Sequence, residues 1–499
     1  MKQFSIPKEV TNITETLEKA GFEAFLVGGC VRDIILGREP KDWDVTTNAV
    51  PEQIISLFPH TFYENTFGTV GVVVSREAED SEPVVEELGE AVKVIEVTPY
   101  RLESEYSDNR HPDKVTFSQK LEDDLQRRDF TMNSLAYSVS QETITDLYEG
   151  QKDIKDKVIR TVGKADDRFN EDGLRMLRAI RFQAELGFDV SPETEKAILE
   201  NGHLLENISK ERIRDEFTKM IMSPNPMDGL LAMKKLSVLK YVVPELEKAI
   251  GVEQNHAHKY DVWEHLIRAV QAGADRWFSL EVRLTALLHD ISKPESRRWA
   301  EDQKQWTFYG HEVIGSRVTK KILTDLRYPT KIIEKVTKMS RWHMFFSDTE
   351  QITLSAVRRM IVNVGRENIW DLMNVRICDR IGTGRPKEDP YRLRKYHSMI
   401  EEALRDPISV GMLKIDGKKV MEVTRVTPGP KIGYILNALL EEVLEDPKKN
   451  TAEYLENRTM ELISLPDMEL QALGESGKET KEVADEEEIK KIRGKHWVK

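Results

Sequence analysis

The chain has 499 residues, 39% hydrophobic and 32% charged, with a formal net charge of −13. That length exceeds what one hydrophobic core serves, so three or more domains are expected, and the composition fits a soluble, helix-rich protein. Only two cysteines occur, Cys30 and Cys378, with no C-x-x-C pair, which argues against a disulfide framework or zinc–thiolate site, and no apolar run approaches the length of a membrane span.

The stretch up to Phe22 is an amphipathic start without a signal-peptide core, so a reducing cytoplasm is the expected compartment. Over residues 1–150 strand and helix signals alternate. FEAFLVGG, GTVGVVVS, AVKVIEVTPY and ETITDLY have the β-branched and aromatic content of strands, while VRDIILG and PEQIISLF read as short helices. The acidic segment Arg76–Ala91, with Pro83 and Gly89, reads as an enlarged hairpin tip. From 151 the pattern is helical: a block over 151–235, a histidine-rich block over 236–385 and a third over 386–465. From Pro466 to Lys499 the chain is polar and charged, and disorder is expected. Net acidity does not advertise nucleic-acid binding, yet Arg317–Arg341 holds eight Lys or Arg against two acids. Those residues form either a patch for a polyanion or a solvated helix face.

Residues 26–47, LVGGCVRDIILGREPKDWDVTT, carry the most information. An apolar run enters Gly28 and Gly29, Arg32 and Asp33 follow at a helix start, and an extended segment carries Asp42 and Asp44. Alternate strand residues face one side, so both carboxylates are expected to meet one spot. Two hard anionic ligands beside a glycine turn suit Mg²⁺ bridging to a phosphate, with Arg32 neutralising charge. The bland alternative is a surface turn and a solvated acidic loop. The ordered set G-G-x-V-R-D then D-x-D resembles the head signature of the class II nucleotidyltransferases, which contain the tRNA CCA-adding enzymes and the bacterial poly(A) polymerases.

The resemblance extends in order along the chain. Gly68 and Thr69 fit the strand after the carboxylate pair, and Glu96 in IEVTPYR is a candidate third carboxylate or simply a charged strand residue. Arg101, Asp108, Arg110 and Pro112 match the family's flexible loop. Asp124, Arg127, Arg128, Asp129, Phe130, Thr131 and Asn133 match the next motif, which implies arginine and Asn133 contacts to ribose and phosphates. In EDGLRMLRAIRF, Asp172 and Arg175 stand three apart. A carboxylate accepts from an exocyclic amine and a guanidinium donates to a ring nitrogen, a pattern that cytosine and adenine meet and guanine and uracil do not. The resemblance implies that this pair is the template for CTP and ATP; the alternative is a helix cap followed by an intrahelical ion pair. Gly173 stands where the family often has proline. Glu211, Arg212 and Glu216 are expected to brace the neck by ion pairs.

The second helical block carries His265, the adjacent His289 and Asp290, then His311, His343 and Asp379. Histidines and carboxylates spread over separate helices are what a divalent metal cage in a bundle requires. The ordered H…HD…H…H…D series resembles the HD phosphohydrolase superfamily. That likeness implies a metal on His265, His289, Asp290 and Asp379, with His311 and His343 able to hold a second. His256 and His258 lie close by in sequence. The fold expected is α+β: a polymerase-beta-like nucleotidyltransferase α/β head at 1–150, a helical neck at 151–235, an HD-type body at 236–385, a tail at 386–465 and a disordered end at 466–499. The function expected is Mg²⁺-dependent addition or repair of the 3′-terminal CCA of tRNA from CTP and ATP, without membrane association, with metal-dependent phosphohydrolysis at the HD-type body as a second activity. Rivals are a poly(A) polymerase, an enzyme that adds only CC or only A, and an HD phosphohydrolase whose head binds nucleotides.

Overall fold

A computed structural model describes residues 4–63, 68–74, 93–104, 114–255, 258–344, 353–384, 391–406 and 409–479. The acidic insert Arg76–Ala91, Asp108, Arg110, Pro112 and His256 lie outside the described residues. The chain forms two compact units, Met1–Val242 and Val243–Lys499.

The strands of the first unit are β1 (Ala24–Val27), β2 (Asp44–Thr47), β3 (Thr61–Tyr63), β4 (Val70–Val74), β5 (Lys93–Pro99), β6 (Arg101–Ser104), β7 (Lys114–Phe117), β8 (Leu135–Ser138) and β9 (Thr143–Asp146). Seven of them form one sheet in the order β3-β4-β5-β2-β1-β8-β9, and β6 pairs with β7 apart from it. Within the sheet only β2 and β5 run parallel; the other neighbours are antiparallel. The four strand patterns read from the sequence are present. The sequence reading missed β3, which has only three residues, β8, which directly follows the Asp124–Asn133 motif, and the β6–β7 pair. Val27, Tyr100, Leu121, Leu125 and Ala136 pack as one buried cluster beneath β1.

The short helix Gly150–Asp156 follows β9 directly. Asp146 at the end of β9 accepts from the backbone N–H groups of Tyr148, Gly150 and Gln151, which satisfies donors that a helix start leaves open. Thr131 donates to Asp153 of this helix at 2.6 Å, and that bond fixes the 3₁₀ turn Thr131–Asn133. Helices Ala165–Glu171, Leu174–Leu186, Pro192–Asn201, Lys210–Met222 and Pro226–Lys235 complete the unit. The neck is not wholly helical, because Val158–Ile159 pairs in parallel with Asp189–Val190, both β-branched at their buried ends. Helix Leu239–Val242 also belongs to this unit, and Val242 lines a small cavity with Leu177, Ile180 and Phe217.

The second unit is a bundle interrupted by one hairpin, Arg298–Ala300 with Gln305–Thr307. A single hydrophobic core runs from Ala269, Val282 and Met339 through Leu393 and Leu439 to Leu470, so the two blocks read as body and tail share it. The disorder expected from residue 466 does not hold for Asp467–Glu479, which form a helix. Leu470 is buried, Asp467 pairs with Lys431 at 2.6 Å, and Gly474 approaches helix Pro430–Glu445 so closely that a Cβ would stand 2.4 Å from the Tyr434 Cα. Residues 480–499 lie outside the description.

Gly150 carries a steric demand that bears on the head. A Cβ there would lie 2.2 Å from the Thr131 carbonyl oxygen. Gly150→Ala is expected to destabilise the first unit by about 1–3 kcal/mol, the usual range for overpacking. Urea melts of wild type and variant check this; superimposable curves would show that the turn yields freely.

Candidate active site and candidate metal centre

The glycine turn exists because Gly28 takes φ +78°, a conformation that side chains resist. A Cβ at Gly28 would stand 3.1 Å from Arg128 Nη1 and 3.4 Å from Asp44 Oδ2, so the backbone faces both a guanidinium and a carboxylate. Asp44 opens β2, while Asp42 sits on the bend before it rather than on the strand. Trp43 between them is buried, which turns both neighbours away from the core; Asp42 is exposed and Asp44 half-buried. Glu96 on β5 is the parallel register partner of Asp44, so their side chains share a face of the sheet. Cys30, one residue past the turn, is buried, donates to the Val27 carbonyl, and burial pushes its thiol up to about 11.

A buried polar chain supports the turn from beneath. Arg32 donates to Asp33 at 2.9 Å and to Asn133 Oδ1 at 2.9 Å. Asn133 donates to Asp129 at 3.1 Å, and Arg178 closes on Asp129 at 2.6 Å. Arg178 reaches Glu216 at 3.8 Å, and Arg181 binds Glu216 at 2.6 Å. Beside this chain, Asp124 is buried and holds Arg127 at 2.6 Å and Arg128 at 2.9 Å. Burial would raise both carboxyls; the guanidiniums of Arg127 and Arg128 instead hold Asp124 at about 2, and Arg178 with Asn133 holds Asp129 at about 2.

The Arg175 N–H donates to the Asp172 carbonyl at 3.0 Å, but their side chains take other partners. Asp172 lies just before Gly173, which caps helix Leu174–Leu186, and it takes a two-bond grip from Arg212 at 2.7 and 3.2 Å. It also accepts from the Leu174 N–H at 3.1 Å. Arg175 is held by Glu171 at 2.5 Å and donates to the carbonyls of Arg168 and Arg127. Each member is thus fixed by a partner that sequence reasoning did not give it. Arg212 was read only as a neck brace, and the signal that could have found it was the S-K-E-R segment itself. Glu216 braces as expected, whereas Glu211 is exposed.

In the second unit, His265, His289, Asp290 and Asp379 offer ligand atoms within 4.8 Å of one another, and Asp290, His311 and His343 form a second such group. All six are buried. His265 Nε2 lies 3.0 Å from His289 Nε2, 3.1 Å from Asp290 Oδ2 and 3.5 Å from Asp379 Oδ1. His311 and His343 place Nε2 at 3.1 and 3.5 Å from Asp290 Oδ1. The Nδ1 atoms of His289, His311 and His343 each face a carbonyl, of Ala286, Phe308 and Ser340. A carbonyl only accepts, so Nδ1 carries the proton and Nε2 presents its lone pair inward. His311 Nε2, His343 Nε2 and Asp290 Oδ1 are buried without a hydrogen-bond partner. Lone pairs aimed at lone pairs call for a cation, and the nitrogen and oxygen donor set suits one divalent ion on each side of Asp290. Lys293 pairs with Asp290 Oδ2 at 2.6 Å and Arg376 pairs with Asp379, so both carboxylates are held well below their usual range despite burial. Helix Val262–Ala274 meets helix Ile369–Gly382 at Gly382, where a Cβ would stand 2.7 Å from the His265 carbonyl and 3.0 Å from its Nδ1. His258 contacts His265 edge to face at 5.6 Å.

Arg101 lies on β6, while Asp108 and Arg110, its companions in the expected loop, are not described. Within Arg317–Arg341, Lys321 pairs with Glu245 and Asp325, and Lys335 with Asp371, so the patch is partly neutralised. Among the described residues no helix is long and apolar enough to cross a membrane.

Three family profiles match in order: "Poly A polymerase head domain" over residues 24–160, "Probable RNA and SrmB- binding site of polymerase A" over 187–250, and "HD domain" over 262–381. The chain is 32% identical over 457 residues to the CCA-adding enzyme of Bacillus cytotoxicus, which covers 91% of this chain and 97% of that one. It is 42% identical over 252 residues to the CCA-adding enzyme of Lactococcus lactis subsp. lactis, which covers 50% of this chain and 59% of the relative. Among solved structures, the Bacillus stearothermophilus CCA-adding enzyme in complex with CTP superposes with a TM-score of 0.68 at 27% identity, covering 91% of this chain and 96% of that one.

The depressed Asp129 carboxyl has a measurable consequence. Its folded value of about 2 lies below the ordinary 3.8, so the stability it confers is complete above about pH 4 and is lost as pH falls through about 2. Near pH 3 the wild type is expected to take up close to one more proton on unfolding than Asp129→Asn, which keeps the shape and cannot titrate. Urea melts over pH 2–4 give that slope difference; equal slopes would mean that Asp129 titrates normally.

Proposed function

Because this chain belongs to the CCA-adding enzymes, we propose that Asp42 and Asp44 are the metal-holding carboxylates of its tRNA nucleotidyltransferase reaction, with CTP and ATP as donors. The protein is a nucleotidyltransferase that acts on tRNA. Work on tRNA implies the cytoplasm. The observation that carries the site assignment is the meeting of the Gly28 backbone, Arg128 and Asp44 at one turn, with Glu96 in register beside Asp44. Mg²⁺ on these carboxylates would make the tRNA 3′-hydroxyl more acidic and neutralise the triphosphate. In the reaction the 3′-oxygen bonds to the α-phosphorus as the bond to the β-phosphate breaks and pyrophosphate leaves. Gly28 and Gly29 let backbone N–H groups approach the phosphates, while Arg32, Arg127 and Arg128 offset their charge and Asn133 and Asp129 hold Arg32 and Arg178 in place. Arg101, with Asp108 and Arg110, would serve the switch from CTP to ATP, and this favours full CCA addition over addition of CC alone.

Asp172 and Arg175 read the base by presenting an acceptor beside a donor, which suits C and A. Arg212 and Glu171 position them. A similar protein was solved with CTP, which supports a cytidine-accepting head.

The second unit supports a second chemistry, metal-dependent hydrolysis of a phosphate ester, with His265, His289, Asp290 and Asp379 around one ion and Asp290, His311 and His343 around another. Such ions would activate water against the phosphorus, and an ester P–O bond would break as a hydroxyl is released. The unsatisfied inward lone pairs are what favour this reading over a purely structural bundle. Substrates that fit are 2′,3′-cyclic or terminal phosphates, since these mask the 3′-hydroxyl that nucleotide addition needs.

Crossed variants test the division of labour. With tRNA lacking its 3′ end and labelled CTP and ATP, supplied separately and together, Asp42→Ala or Asp44→Ala is expected to lose at least about a hundredfold in addition, on the scale of lost charge stabilisation. Both should keep cyclic-phosphate hydrolysis. The double variant His289→Ala, Asp290→Ala should show the reverse. Normal addition by Asp44→Ala would sink the carboxylate assignment.

The Arg212 grip generates a separate test. Arg212→Ala is expected to relax selection against UTP and GTP by about tenfold, as Asp172→Ala and Arg175→Ala do, because an unheld carboxylate no longer excludes the wrong edge. Lower rate with full base selectivity in all three would leave the group a purely structural one.

A further inference from the structure

The hairpin Arg298–Ala300/Gln305–Thr307 is inserted between two cage ligands, eight residues after Asp290 and four before His311. Both of its ends are tied to the cage. On one side Arg297 pairs with Glu253 at 3.4 Å; the next residue, Gln254, accepts from Lys293 at 2.6 Å, and Lys293 pairs with Asp290. On the other side the Phe308 carbonyl accepts from His311 Nδ1 at 2.6 Å, and Lys293 Nζ lies 5.4 Å from the Phe308 ring. Trp299 and Trp306 are directly opposed across the strands, with ring centroids 5.1 Å apart at 73°. Arg297 lies over Trp306 at 3.6 Å, so that indole already has a partner on its face. Trp299 is 47% exposed.

A hairpin of this size gains from one aromatic cross-strand pair, but it does not require the second indole to face water. The exposed indole stands on a device anchored to both sides of a cage that suits a phosphate ester. We propose that Trp299 is a stacking platform for the base of a nucleotide whose phosphate lies in the cage, so that the hydrolytic substrate is a nucleotidic end and not a simple phosphate ester. This rests on the phosphohydrolase reading of the cage. Stacking on an indole tolerates any base, which suits a site acting on RNA ends of differing sequence. Arg297, stacked on the opposed Trp306, adds positive charge to the hairpin that carries the ring. A protein partner would instead call for an apolar patch wider than one indole.

The test uses the full chain loaded with Mn²⁺ and two probes, adenosine 2′,3′-cyclic phosphate and ethylene phosphate, the same five-membered cyclic ester without a base. For the adenosine probe, Trp299→Ala is expected to lose about tenfold in kcat/KM, mostly through KM, on the scale of one stacked base. For ethylene phosphate it should match wild type, and Trp299→Phe should restore most of the loss. Equal losses on both probes, or none on either, would overturn the platform while leaving the hydrolase reading intact. If wild type cleaves neither probe, the emission of Trp299, taken as the difference between wild type and Trp299→Phe, decides the matter. Quenching by adenosine 2′,3′-cyclic phosphate would uphold the platform and remove the hydrolase reading; no quenching would remove both.

Discussion

The first unit depends on a line of buried and half-buried polar groups that runs from Asp33 through Arg32, Asn133, Asp129 and Arg178 to Glu216 and Arg181. Its members come from four stretches of chain: the helix after the glycine turn, the 3₁₀ turn before β8 with the residues leading into it, and two neck helices. Taking one partner away would leave a buried charge alone, which costs several kcal/mol, so the line behaves as a unit. It also ties the sheet to the neck helices and holds the arginines in place.

The second unit follows the opposite rule. Its helices satisfy one nitrogen of His289, His311 and His343 with backbone carbonyls, and at His311 and His343 leave the other nitrogen without a hydrogen-bond partner. In an ordinary core such atoms would be a defect. Here they converge on Asp290, whose two oxygens face two separate ligand groups. The head line is thus held by polar contacts made within it, whereas the cage keeps buried donor atoms unpaired.

How much of this was legible in the sequence follows from distance along the chain. The glycine turn, the two aspartates, the Asp124–Asn133 cluster and the histidine series are local or carry an ordered spacing, and they could be read. The Arg212 grip on Asp172 spans forty residues and joins two helices whose crossing no periodicity reveals. The registry of Glu96 with Asp44 depends on a parallel pairing across an insert. Alternation suggests a strand at Asp42, whereas Asp42 lies exposed on a bend and only Asp44 is on the strand. The helix Asp467–Glu479 escaped notice because its docking uses a glycine and one leucine, and composition weighs neither heavily.

Gly382 gives the cage a property that its ligands alone do not. With no room for even a methyl group, two ligand-bearing helices meet backbone to side chain at the very histidine that faces the first metal group. The separation between His265 and Asp379 is then set by main-chain contact, not by rotamers that a bound ion must select. An ion entering such a frame orders little that was loose, so little of its binding energy goes into conformational entropy. The same closeness makes the frame intolerant: any larger residue at that position would spread the helices and detune both ligand groups together, since Asp290 belongs to each.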